Sequence, residues 1–309
     1  MWAGFFAFVI VATAVDLKVL SARGATRVSV KEALGWSAVW VALSLAFAGL
    51  LWWYLAGAAG AEIAREKTLA FLTGYLIEKS LSVDNIFVFL MLFTYFAVPP
   101  ELQRRTLVYG VLGAIALRII MILIGAWLIA QFHWIIYVFG LFLLVTGAKM
   151  LFFSGDKPDL EKNPALRWMR GHLAVTPGFE GERFWVLRDG VRTFTPLFLV
   201  LVMIAITDIV FAVDSIPAIF AITGDPFIVM TSNIFAVLGL RALYFVLADM
   251  ADRFHLLSYG LALVLMFIGV KMLLIDFFKI PVFLALGVVV TLIAASIAAS
   301  LVRRPKPGG

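Results

Sequence analysis

Long apolar runs fill most of the chain, and short polar breaks separate them. Nine apolar segments fall near residues 2–20, 34–57, 70–96, 106–130, 134–153, 195–222, 229–248, 256–275 and 281–302. Each is close to the ~20 apolar residues that an α-helix needs to cross a bilayer core. The break between the fourth and fifth is only Gln131–His133, and that between the eighth and ninth carries Asp276, Lys279 and Pro281. This pattern predicts an all-α polytopic membrane protein with about nine transmembrane helices. The one long polar stretch, 154–194, reads as a linker with a short amphipathic helix near 160–173. The expected organisation is two N-terminal helices over 1–60, a three-helix unit over 61–153, the linker, a second three-helix unit over 195–278, and a C-terminal helix with a basic tail over 279–309.

Composition agrees with that class. Hydrophobic residues make up 63% of the chain and charged residues 14%, against about 25% charged in a soluble domain. The net charge of +6 would suit nucleic acid, but the basic residues sit in loops, so no nucleic-acid partner is expected. With nine spans, seventeen of them share one side: Lys18, Arg23, Arg27, Lys31, Arg104, Arg105, Lys157, Lys162, Arg167, Arg170, Arg183, Arg188, Arg192, Arg253, Arg303, Arg304 and Lys306. The opposite side carries Arg65, Lys67 and Lys279. By the positive-inside rule the N-terminus lies outside and the C-terminus in the cytoplasm. The first segment lacks a basic n-region and a cleavage site, so no cleavable signal peptide is expected. A prokaryotic inner membrane is the expected location. The absence of cysteine removes disulfides, thiolate metal sites and cysteine nucleophiles.

The two halves resemble each other. Glu78-Lys-Ser-Leu-Ser-Val-Asp84 aligns with Asp208-Ile-Val-Phe-Ala-Val-Asp214, Leu117-Arg118 with Leu240-Arg241, His133 with His255, and Gly147-Ala-Lys149-Met150 with Gly269-Val-Lys271-Met272. The offset is 130 at the acids and 122 to 123 afterwards. Each unit has three spans, and the linker between them begins and ends on one side. The second unit is therefore upside down relative to the first. Such inverted repeats are a recurring transporter architecture, with substrate sites near the midplane where the repeats meet.

The matched acids are the candidate chemistry. A carboxylate at the centre of a membrane helix costs roughly 2.5–3.5 kcal/mol on insertion scales. A bound cation, protonation, or pairing with Lys79, Arg118 or Arg241 would offset that cost. Glu78, Asp84, Asp208 and Asp214 are the candidate metal ligands, and Ser82, Asn85, Ser215 and the Val213 carbonyl are candidate auxiliary ligands. Pro217 removes the amide that would bond to Val213, so a kinked or discontinuous sixth span is expected there. An all-oxygen ligand set suits magnesium, calcium or manganese and leaves the three open. His133 and His255, at span ends, read as interfacial anchors.

The two acidic motifs, with the run Thr231-Ser-Asn-Ile-Phe-Ala-Val-Leu-Gly-Leu-Arg-Ala-Leu-Tyr244, resemble those of the TerC family, and within it the Alx-like branch. The resemblance covers residues 30–278. It implies metal homeostasis, with Mn²⁺ export as the leading activity and the motif acids as the metal site. One departure is Ala205, where many relatives of that family carry glutamate. Taken together, the expectation is a non-enzymatic transporter whose substrate is a divalent cation, Mn²⁺ first and Ca²⁺ or Mg²⁺ next, with proton exchange as the coupling. The alternative is a metal-responsive membrane scaffold of the tellurium-resistance type, with a cytoplasmic partner docked on the 154–194 loop.

Overall fold

The computed structural model describes residues 1–23, 30–132, 134–152, 163–188, 190–247, 256–278 and 280–302. The side chains of 16–23, Val30, Val83, Asp84 and Phe87 also lie outside the described set. Eleven helices follow in order: α1 Trp2–Arg23, α2 Val30–Ala58, α3 Ala61–Tyr95, α4 Pro100–Gln131, α5 Ile135–Phe152, α6 Pro164–His172, α7 Pro196–Phe220, α8 Pro226–Leu238, α9 Leu240–Leu247, α10 Leu257–Leu273 and α11 Val282–Val302. A hairpin of β1 Trp185–Arg188 and β2 Val191–Phe194 lies between α6 and α7. Among the described residues the fold is thus helical with one small antiparallel ribbon.

Every apolar segment of the sequence falls on a helix, and the seventh falls on two. Five helices among the described residues are long and apolar enough to cross a membrane: α2, α4, α5, α7 and α11. The pair α8–α9, bent by 41°, makes a sixth. The described apolar part of α1 and the whole of α10 are shorter. α3, at 35 residues, carries Glu62, Arg65, Glu66, Lys67, Glu78, Lys79 and Asp84.

Two breaks differ from the sequence reading. α7 runs unbroken through Pro217 to Phe220. Pro217 forgoes the bond to the Val213 carbonyl, but its own carbonyl accepts from Ala221 at 2.9 Å and the helix continues past it. The break occurs instead at Gly239, between α8 and α9. The helix expected near 160–173 forms over Pro164–His172, with Asn163 as its cap accepting from the amides of Ala165 and Leu166 at 3.0 and 3.3 Å.

Glycines set the helix pairs. A Cβ on Gly147 would lie 2.7 Å from the Ala262 carbonyl, and one on Gly140 would lie 3.1 Å from the Gly269 carbonyl. α5 and α10 therefore run antiparallel in close backbone contact. A Cβ on Gly74 would lie 2.8 Å from Ser232 Oγ, and one on Gly110 2.9 Å from Ile204 Cγ2. Together with Lys67–Asp225 at 2.8 Å, the first of these makes α3 parallel to α8. Gly125 against Phe220 continues the second, so α4 is parallel to α7. Gly74 also meets Ile219, while Glu78, further along α3, lies level with Asp208, further back on α7; α3 and α7 are antiparallel.

These approaches leave no room for a side chain. Gly147→Ala is expected to cost about 1–3 kcal/mol through overpacking. Gly113→Ala, where nothing lies within 4 Å, is expected to be neutral or better; thermal unfolding of the purified protein in detergent measures both.

Candidate functional site

Four helices each contribute one polar side chain to a buried network. Glu78 comes from α3, Arg118 from α4, Asp208 from α7 and Asn233 from α8; none is more than 1% exposed. The Arg118 guanidinium donates through Nε and Nη2 to the two oxygens of Asp208 at 3.0 and 2.8 Å. This is the bidentate fork that arginine makes with carboxylates. Its Nη1 donates to Glu78 Oε1 and to Asn233 Oδ1, the latter at 3.1 Å. Asn233 Nδ2 donates to Glu78 Oε2 at 2.9 Å. All four carboxylate oxygens of this pair are hydrogen-bonded. A buried charge is tolerated when it is paired and its remaining lone pairs are filled. Two carboxylates against one guanidinium still leave the cluster formally negative.

Beside the network lies a cavity of about 50 Å³. Its polar lining is Glu78, Asn85, Arg118, Asp214 and Ser215, and its remaining walls are apolar. Asp214 is only partly buried and has the Thr146 side chain of α5 as a hydrogen-bond neighbour. Asn85 Oδ1 and Ser215 Oγ are buried and have no hydrogen-bond partner among the described residues. An unsatisfied buried oxygen costs roughly 1–3 kcal/mol, so two of them facing one small cavity favour a ligand that accepts oxygen donors.

The sequence-derived candidates separate into groups. Glu78, Asp208 and Arg118 come together, and Asp214, Asn85 and Ser215 adjoin them. Asp84 lies among the side chains outside the described residues. Ser82 Oγ is buried and unpartnered but does not line the cavity. The Val213 side chain is 40% exposed and does not line the cavity; only its carbonyl remains a candidate. Arg241 lines a different cavity with Glu32 and Arg104. Lys79 donates to the Ala236 carbonyl at 3.2 Å rather than to an acid. His133 and His255 lie outside the described residues. Among the described residues, no three His, Asp or Glu side chains gather closely enough to hold a metal by themselves. Asn233 was not singled out from the sequence as a site residue. Its signal was the polar triplet Thr231-Ser232-Asn233 inside an apolar run.

Residues 63–307 match the model of the integral membrane protein TerC family. The chain belongs to the TerC family. Its TerC match takes in all four helices of the buried network and leaves α1 and α2 outside. Curated relatives cover nearly the whole chain. A protein of Salmonella typhi named "Putative membrane-bound redox modulator Alx" is 58% identical over 94% of this chain and 90% of its own length. The protein of the same name from Escherichia coli K12 is 56% identical over the same shares. An uncharacterized membrane protein of Myxococcus xanthus is 48% identical over 98% of this chain and 92% of its own. No solved structure matches.

The network makes this TerC fold sensitive to charge removal. Arg118→Met leaves two buried carboxylates facing each other and is expected to lose about 3–5 kcal/mol. The triple variant Glu78→Gln/Arg118→Met/Asp208→Asn removes all three charges and should recover most of that loss. Chemical denaturation in detergent measures both.

Proposed function

We propose that this TerC protein is a secondary transporter that exports a divalent cation, Mn²⁺ first, through the cavity between its two helical units. The observation that carries the reading is the cavity itself. It joins one carboxylate outside the arginine clamp, Asp214, to two unpartnered oxygens, Asn85 Oδ1 and Ser215 Oγ, beside a negative cluster. These are hard oxygen donors of the kind that Mn²⁺, Mg²⁺ and Ca²⁺ accept. Glu78 borders the same space, and the Val213 carbonyl, deprived of its amide partner by Pro217, is a further donor.

The helix directions support an inverted repeat. α3 is antiparallel to its counterpart α7, and α5 to its counterpart α10. Because α4 runs with α7 and α8 with α3, α4 is antiparallel to its counterpart α8 as well. The contacts also exchange. Under the repeat offsets of 130 and then 122 to 123, Gly74 against Ser232 becomes Ile204 against Gly110. Gly140 against Gly269 becomes Ala262 against Gly147. Reciprocal contacts of this kind are what a two-fold axis produces. In our reading nine spans cross a bacterial inner membrane with the N-terminus outside. Rocking of one unit against the other exposes the cavity to each side in turn, and proton entry at Asp214 releases the ion outside.

In this mechanism the acids have two roles. Asp208 is held by both of its oxygens and serves as the fixed counter-ion of Arg118. Glu78 is shared between Arg118, Asn233 and the cavity, and so couples occupancy of the cavity to the clamp. Asp214 supplies the primary ligand.

A second reading is a non-transporting, metal-responsive scaffold. The linker favours it, because α6 and the hairpin form a shaped element tied to α4 by Arg105–Glu182 at 2.7 Å. That element exposes Trp168, Trp185 and Leu187, a surface for a cytoplasmic partner. The relatives named as redox modulators point the same way, although a redox role in this chain would not pass through a thiol.

Reconstituted liposomes separate the two. Wild-type protein is expected to move Mn²⁺ down its gradient, to respond to an imposed proton gradient, and to show competition by Ca²⁺ or Mg²⁺. Asp214→Asn should lower flux at least tenfold in folded protein, and Ser215→Ala should weaken apparent affinity. Mn²⁺ binding with no flux would transfer the case to the scaffold.

A further inference from the structure

The break between α8 and α9 carries an inference that does not depend on which ion the cavity takes. Two observations meet there. First, the span bends by 41° at Gly239. In a continuous helix the Ala236 carbonyl would accept from the Leu240 amide. At the break it accepts from the Lys79 ammonium at 3.2 Å. The C-terminal end of a helix carries partial negative charge and unpaired carbonyls, and such ends coordinate cations in discontinuous transporter helices. Second, the ammonium fits against a residue with no side chain. A Cβ on Gly239 would lie 2.5 Å from Lys79 Nζ and 3.2 Å from Trp40 Cβ, and Trp40 is 4% exposed. The ammonium of a partly buried lysine is thus wedged against backbone and an indole.

The counterpart contact, α7 against α4, provides the comparison. The counterpart of Gly239 falls at Ala116–Leu117, where α4 runs unbroken. The counterpart of Lys79 is Ile209, a lipid-type side chain that is 37% exposed. The break and the lysine come from different halves and meet where α3 packs on α8–α9; both are absent where α7 packs on α4. The α3 helix holds both ends of α8. Lys67 pairs with Asp225, which caps the α8 N-terminus through the Phe227 amide at 3.0 Å, and Lys79 serves the C-terminal end.

We propose that the α8–α9 break is a cation position, filled in this protein by the tethered ammonium of Lys79, and that it takes a small alkali cation when the lysine is shortened. The lysine replaces a dissociable ion with one fixed to α3. The bend therefore stays closed whatever the monovalent ions around it.

Thermal unfolding of the purified full chain in detergent tests this. It would compare NaCl, KCl and choline chloride at equal ionic strength, because choline is too large to enter. Wild type and Lys79→Arg are expected to melt at the same temperature in all three salts. Lys79→Ala should melt several degrees lower in choline and recover part of the loss in Na⁺ or K⁺, with saturation. Lys79→Met keeps most of the volume without the charge. It should lose stability in choline and gain little from alkali cations, since its methyl fills the space. Lys79→Ala as stable in choline as wild type would overturn the proposal, and so would a loss that no alkali cation restores, including failure to fold in every salt.

Discussion

One guanidinium holds the centre of this protein together. Arg118 is fully buried between Glu78 and Asp208, and these residues come from three helices in the two halves of the chain. Isolated charges in an apolar interior are costly, and removing one member of a buried set exposes the others to that cost. The fork on Asp208, the donation to Glu78 and the bridge through Asn233 therefore fix how α3, α4, α7 and α8 stand against one another. The glycine approaches at Gly74, Gly110 and Gly125 bring the same helices close enough for those bonds to form.

That constraint shapes the candidate site. Once Arg118 has taken both oxygens of Asp208 and one of Glu78, the oxygens left for a ligand among the described residues are those of Asp214, Asn85 and Ser215, with the edge of Glu78. Among the described candidate acids, Glu78, Asp208 and Asp214 thus stand in three different surroundings. The asymmetry recurs elsewhere: Arg241, the counterpart of Arg118, stands with Glu32 and Arg104 in another cavity. The helix break and the lysine that meets it occur where α3 packs on α8–α9, and neither occurs where α7 packs on α4. The sequence-matched positions of the two halves thus carry unlike chemistry.

Much of this was legible in the sequence because charge inside an apolar run is conspicuous. Glu78, Asp208, Asp214 and Arg118 stand out for that reason, and Asn85 and Ser215 follow as their neighbours. Asn233 is a neutral amide, so it gives no charge signal. The break at Gly239 was hidden for a related reason. A glycine among leucines is common in membrane helices, whereas Pro217 looks disruptive yet α7 runs through it to Phe220. The hairpin had a signal in the Asp189-Gly190 pair between residues of strand type, a common two-residue turn sequence. Gly190 does adopt a φ of 77°. Reading 154–194 as linker passed over it. Partner choice was the least legible feature: Lys79 is adjacent to Glu78 in sequence, yet helical geometry turns it toward α8.

The account rests on where the ion binds. Anomalous diffraction at the manganese edge, from crystals of the protein grown with Mn²⁺, locates it directly. The account predicts one strong peak within coordination distance of Asp214 and next to Asn85 and Ser215, with Arg118 still on Asp208. A peak between Glu78 and Asp208 with Arg118 displaced, or one remote from all of these residues, would contradict it.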